Sequence, residues 1–173
     1  MRYVPEKPFP AYTHTPGVTP HPVKSPEGHS YGKREPAVPP LDRVNWSQSA
    51  AYLYAVDLFN HGYYWEAHES WEGLWHATGR QGTVADFLKG LIKLAAAGVK
   101  RRQGIQAGVE THCRRAAALF RDVRQAVHAD RFAGADLNDL IKCARTTGSR
   151  VAESGLSSAY APEPVFTWRL VLR

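Results

Sequence analysis

The chain has 173 residues, enough for one hydrophobic core with appendages and too few for two. Its 43% hydrophobic content is that of a globular protein, and lysines break up its longest apolar run, Phe87 to Val99, which excludes a membrane span there. A formal net charge of +6 favours acidic or phosphate-bearing partners without demanding them.

Residues 1–41 stand apart. Ten of the twelve prolines lie here, so the segment cannot be helical and its default conformation is extended polyproline II. Arg2 is followed by prolines rather than an apolar stretch; no signal peptide is expected, and the chain reads as cytoplasmic. Composition alone suggests a free tail. Tyr3, Phe9, Tyr12 and Tyr31 argue instead for an extended arm across the body, with its rings in surface grooves. Both readings stand at the level of sequence.

From residue 42 the pattern is that of a helical domain reaching residue 173. A first helix is expected over about Ser47 to Asn60, with Tyr52, Ala55, Leu58 and Phe59 inward and Gly62 as its stop. A second is expected from Tyr64 to Ala77, before Gly79, and a third from Thr83 to Arg102, before Gly104. Thr83 followed by Asp86 approximates a capping box for the third. Ala95, Ala96, Ala97 and Gly98 would let a neighbour approach it closely.

A fourth helix is expected from about Ile105 to His128, with Val109, Cys113, Ala116, Phe120, Val123 and Val127 forming one apolar stripe. A fifth is expected from about Asp136 to Glu153, with Asp136 as its N-cap. Cys113 and Cys143 fall at apolar positions and read as reduced, buried thiols. At the C-terminal end, Phe166, Trp168, Leu170 and Leu172 alternate with Val165, Thr167, Arg169 and Val171, the period of an extended segment with one face buried. With no sheet to join, it should pack as an arm. Short loops make successive helices antiparallel. The expected fold is therefore all-α, an up-and-down bundle of about five helices with an extended arm at each end.

The second helix carries the chemistry. At about 100° per residue, Tyr64, Ala67, Trp71, Leu74 and Trp75 share one arc that must face the core, with His68 at its edge. Glu66, Ser70 and Gly73 should point away. His68, Glu72 and His76 follow at steps of four on one flank, and imidazoles with a carboxylate form a ligand set for a divalent transition metal such as zinc, manganese or iron. Glu69 lies close enough to act as general base or to support a ligand, so Glu69 and Glu72 are the candidate catalytic carboxylates. A packing histidine, with carboxylates that simply favour the positive start of the helix, accounts for the same residues and stays open. His21 and His29, flanked by Glu27 in the proline-stiffened segment, would complete a coordination shell if that segment folds over the second helix; exposed loop histidines are the alternative.

The phrase FNHGYYWEAHESWEGLW, followed by FLKGLIKLAAAGVKRRQG, Gly108 and an Arg/Ala-rich helix, resembles the domain of unknown function 309 family over about Leu58 to Val123. Phe59, Gly62, Tyr64, Glu66, Ala67, His68, Glu69, Glu72 and Trp75 carry the main phrase. The resemblance implies an all-helical fold and brings no reaction, substrate or cofactor. One departure stands out: the third helix ends in Lys100, Arg101 and Arg102 where the resemblance implies a histidine.

Three functional readings follow. The first is a His/Glu pocket beside the second helix, holding a divalent metal for hydrolytic or acid/base work on a small-molecule substrate. The second is a non-catalytic interaction module, because the same phrase is also similar to a tetratricopeptide helix pair, although no repeat follows it; a homo-oligomer would fit this reading. The third is a basic nucleic-acid-binding face made by Lys89, Lys93, Lys100, Arg101, Arg102, Arg114, Arg115, Arg121 and Arg124. Glu110, Asp122 and Asp130 interleave and no nucleic-acid motif is present, so a solvated helix surface explains those charges more simply.

Overall fold

The computed structural model describes residues 2–33, 36–149 and 160–173. Five α-helices form the body: α1 (Ala50–Asn60), α2 (Tyr64–Ala77), α3 (Thr83–Arg102), α4 (Gln106–Val127) and α5 (Leu137–Ser149). Each packs chiefly on the next in sequence, and α3 lies between α2 and α4. This is the expected up-and-down bundle. The expected continuation of the fifth helix to Glu153 falls outside the described residues.

Local chemistry sets most of the helix ends. Helix α1 begins at Ala50 rather than Ser47, because Trp46–Gln48 forms a separate 3-10 turn. The Ser49 hydroxyl then accepts from the Tyr52 amide at 3.3 Å, satisfying one of the otherwise orphaned N–H groups. Asp136 caps α5 as expected, accepting from the Asn138 and Asp139 amides at 2.9 and 3.1 Å. The expected Thr83–Asp86 capping box is not formed. Gly82 occupies the N-cap with φ +86° and no side chain caps the helix, so Thr83 is already its first helical residue.

The core is continuous, with Trp71, Tyr52, Tyr64, Phe59, Phe87 and Phe120 its largest fully buried side chains. Small residues on α3 let these rings come close. A Cβ at Gly98 would lie 2.5 Å from the Tyr64 ring, and one at Gly90 2.5 Å from that of Phe120. Cys113 and Cys143 are free and buried, and burial pushes their thiols up to about 11 and about 12. Both are neutral packing groups.

Between α4 and α5 lies an element absent from the sequence reading. Strands β1 (Arg131–Phe132) and β2 (Ala135–Asp136) pair antiparallel. Ala133 and Gly134 turn the hairpin with φ of +45° and +78°, both left-handed as a tight two-residue turn requires. This hairpin corrects the expectation that the C-terminal segment has no sheet to meet: Leu172 makes an antiparallel bridge to Ala135. The alternation itself holds, with Phe166, Leu170 and Leu172 buried and Val171 exposed. Asn60 at the end of α1 holds the Leu170 backbone from both sides, donating to its carbonyl and accepting from its amide, each at 2.8 Å. Farther back, the arm crosses the α1–α2 turn, where a Cβ at Gly62 would lie 2.7 Å from the Glu163 backbone.

The N-terminal segment is docked. A proline-rich chain offers few internal partners for its own amides, so these need acceptors elsewhere. Asp57, buried on α1, accepts from the Tyr3 and Val4 amides at 2.8 Å each, with Arg2 Nε at 3.7 Å. Val4 and Leu41 belong to the core, and Phe9 packs against His61 and Tyr63. The two arms also meet: the Tyr3 hydroxyl accepts from the Leu172 amide at 2.7 Å, and the Thr13 amide donates to the Tyr160 carbonyl at 3.2 Å.

Deleting residues 1–41 would remove Val4 and Leu41 from the core and the amide partners of Asp57, so a lower melting temperature is expected; an unchanged one would mean that the arm adds nothing to stability. Asp57→Ala, which orphans two buried amides, should cost about 2 to 4 kcal/mol, measurable by thermal or urea denaturation.

Candidate functional site

Helix α2 presents three chemically distinct faces. Tyr64, Ala67, Trp71 and Leu74 are buried and anchor it against α1 and α3; Trp75 packs at the margin. On one margin of this strip, His68, Glu69 and Glu72 each bring a ligand-type atom within 4.8 Å of the others. His68 Nε2 lies 3.9 Å from Glu72 Oε2, with the two side chains 26% and 38% exposed. Both side chains are thus partly open to solvent.

Burial holds the His68 ring below the usual histidine value. The Lys93 ammonium on α3 pushes the same way, against Glu72 and the Ile92 carbonyl. Burial outweighs the carboxylate, so the ring stays neutral at neutral pH, the state in which an imidazole nitrogen binds metal. Sequence reasoning passed over His112 on α4, whose buried Nδ1 has no hydrogen-bond partner. Its ring is also held low, first by burial and then by Lys93, Lys100, Arg115 and His68. Its place beside the Val109–Cys113 stripe of α4 was the signal available for it.

His76 does not join the group. It is exposed, its Nδ1 accepts from Arg80 Nε at 2.9 Å, and its ring leans on Trp75. Eight residues on an α-helix correspond to about 12 Å of rise and about 80° of rotation, too far for His68 and His76 to meet at one small ion.

Glu66 departs furthest from expectation. Instead of pointing to solvent, it is buried beneath the N-terminal arm. Its Oε1 accepts from the His14 amide at 2.7 Å and faces His29 Nε2 at 3.3 Å, while its Oε2 accepts from the Thr13 hydroxyl at 3.1 Å. His29 thus reaches α2 at Glu66, not at His68. His21 reaches it at Trp65, with ring centroids 5.4 Å apart, and its Nδ1 accepts from the Val23 and Lys24 amides. Glu27 is exposed. Among the described residues, the metal-type group comprises His68, Glu69 and Glu72 and neither arm histidine.

The arm nevertheless shapes the neighbourhood. It walls a cleft of about 500 Å³ against α1 and α2, lined among others by Lys7, His29, Lys33, Trp65, Glu66 and Glu69. Glu69 therefore belongs both to the three-residue group and to the cleft. Lys7 lies over the Tyr54 ring at 3.9 Å, and Lys33 Nζ donates to the His29 carbonyl at 2.8 Å.

Of the basic series along α3 and α4, Arg102 does not reach the surface. It donates through Nε to the Thr15 hydroxyl at 3.4 Å and through Nη2 to the Ala161 carbonyl at 3.0 Å, so it tethers both arms.

This is an all-helical bundle with a half-exposed His/Glu group on its second helix. Residues 52–111 match the family model described as Domain of unknown function (DUF309), the family whose phrase the second and third helices resemble. The match begins at Tyr52 in α1 and ends at Thr111 in α4, taking in Asp57, Glu66 and the whole His68 group but neither arm. No curated protein matches the chain. No helix among the described residues is long and apolar enough to cross a membrane.

The histidines carry a pH signature. His14 is buried at the arm, with its ring 5.2 Å from that of His21 and its value lowered first by burial and then by His21. A histidine lowered in the folded state stabilises the fold above its unfolded value of about 6.5 and loses that contribution as the pH falls toward the folded value. His14, His68 and His112 all act in this direction. The melting temperature should therefore drop between pH 7 and pH 5, and His14→Gln should flatten that slope. An unaltered slope in the variant would remove His14 as a contributor.

Proposed function

We propose that His68, Glu69 and Glu72 bind a divalent transition metal and that the protein uses this centre for hydrolytic or acid/base chemistry on a small molecule. The observation that carries this reading is the convergence of one imidazole nitrogen and two carboxylate oxygens within 4.8 Å on a half-exposed helix face. One nitrogen and two oxygen donors suit zinc, manganese or iron, and three protein ligands leave coordination positions for water or substrate. A bound ion would supply Lewis acidity and a water of lowered pKa.

The chain's own groups divide the remaining work. His68 is neutral and partly open to solvent, as a ligand must be. The carboxylates of Glu69 and Glu72 offset an ion's charge, while the ammonium of Lys93 works against it. Glu69 also faces the cleft beneath the arm, so a substrate seated among Lys7, Lys33 and Trp65 would lie next to the centre. In that position Glu69 is the carboxylate suited to take a proton from substrate or water.

Metal analysis of freshly purified protein tests the proposal. Stoichiometric metal is expected, together with a higher melting temperature on adding zinc or manganese, since a ligand bound only by the native state stabilises it. His68→Ala should lose the metal while remaining folded, because the side chain is at the edge of the core; His76→Ala should retain it. A metal-free protein that gains no stability from either ion would instead favour a helical interaction module.

A further inference from the structure

A second site lies on the opposite part of the bundle and is independent of the metal proposal. Helices α4 and α5 border a groove of about 790 Å³, larger than the cleft of about 500 Å³ beside the arm. Arg114 and Arg121 line it from α4 and Arg145 lines it from α5. All three side chains are exposed, and among the described residues none makes an ion pair or a side-chain hydrogen bond. Four arginines elsewhere in the fold are engaged: Arg2 with Asp57, Arg80 with His76, Arg102 with Thr15 and Arg124 with Asn138. The sole acid lining the groove, Glu110, already accepts from Gln106 at 3.0 Å.

We propose that this groove binds an oligophosphate chain, held between the guanidinium groups of Arg114, Arg121 and Arg145. Three unpaired cations facing one trough repel each other, and a single multiply charged anion relieves that repulsion where separate chloride ions would not hold their positions. Arg114 and Arg121 are two helical turns apart, about 10 Å along one face of α4, so an extended anion can engage both while Arg145 closes on it from the facing helix. The guanidinium fork pairs with phosphate oxygens through parallel hydrogen bonds. Between the rims the floor is made of small residues, Ala117, Ala144 and Gly148, and the helices are close there: a Cβ at Gly148 would lie 3.0 Å from Cys113 Cβ. The Cys113 thiol beneath is neutral, so the floor adds no negative charge.

Two features favour a short phosphate chain over a nucleic-acid strand. No aromatic ring lines the groove, so stacked bases would have no platform. The basic series does not run on as a continuous strip for a strand to follow, because Arg102 at the end of α3 is buried.

Isothermal titration of the full-length chain at low ionic strength tests the site, with sodium tripolyphosphate, adenosine triphosphate and a single-stranded oligonucleotide as separate ligands. Sulfate at matched ionic strength serves as the control. Saturable tripolyphosphate binding is expected, unaffected by the sulfate. Arg121→Gln and Arg145→Gln should each weaken it by roughly ten- to a hundredfold. Arg115→Gln, an exposed arginine of α4 outside the groove, should leave it unchanged, and Arg145→Lys should recover part of the affinity with the charge. Tighter binding of the nucleotide than of tripolyphosphate would identify a nucleoside triphosphate as the source of the phosphates, and equal or weaker binding a free polyphosphate. Absence of binding by both triphosphates, binding unaffected by the two glutamine variants, or binding of the oligonucleotide alone would overturn the proposal. All the substituted side chains are solvent-exposed, and melting curves of the variants confirm that the fold is retained.

Discussion

Two buried carboxylates hold this structure in its shape. Asp57 on α1 and Glu66 on α2 each accept main-chain amides from the N-terminal segment, and each is almost wholly removed from water. Burying a carboxylate is costly unless its oxygens are filled by good donors, and an amide in a proline-rich stretch has few partners of its own. The two deficits cancel. An arm that composition alone would leave in solvent thus becomes part of the protein, and Phe9, Tyr54, Trp65 and His14 gain the contacts that follow from it.

That arrangement gives neighbouring carboxylates on α2 different work. Glu66 is saturated by the His14 amide, the Thr13 hydroxyl and His29. Glu69 and Glu72, one and two turns on, remain half-exposed beside His68. The difference lies not in the residue type but in whether the arm passes overhead. The arm walls the cleft that Glu69 lines. The same docking thus buries one acid and leaves the next ones beside a space large enough for a small molecule.

The bundle separates its charges. The carboxylates proposed to hold a metal belong to α2, while Arg114, Arg121 and Arg145 belong to α4 and α5. Helix α3 lies between them with Lys93 and Lys100; burial holds the nearby imidazoles of His68 and His112 below the usual histidine value, and these ammonium groups add to the effect. A cation and an oligophosphate would therefore be bound in separate places, each by side chains of opposite sign.

The sequence by itself determined the number and order of the helices and most of their described ends, because the 3.6-residue period and the Gly, Ser and Asp punctuation are local. It also placed Tyr64, Ala67, Trp71 and Leu74 inward, put His68 at their edge with Glu69 and Glu72 beside it, and read the alternation of the C-terminal arm. The Ala133–Gly134 hairpin escaped it, since two-residue strands have too short a period to detect. His76 was grouped with His68 because steps of four look aligned on paper, whereas each step drifts about 40° around a real helix. Only the tertiary structure decided that Glu66 faces inward, that the arm is docked and that Arg102 is buried. Each depends on partners distant in the chain, many of them backbone amides and carbonyls. Every residue but proline carries that amide and every residue that carbonyl, so such partners leave no mark in the order of the side chains.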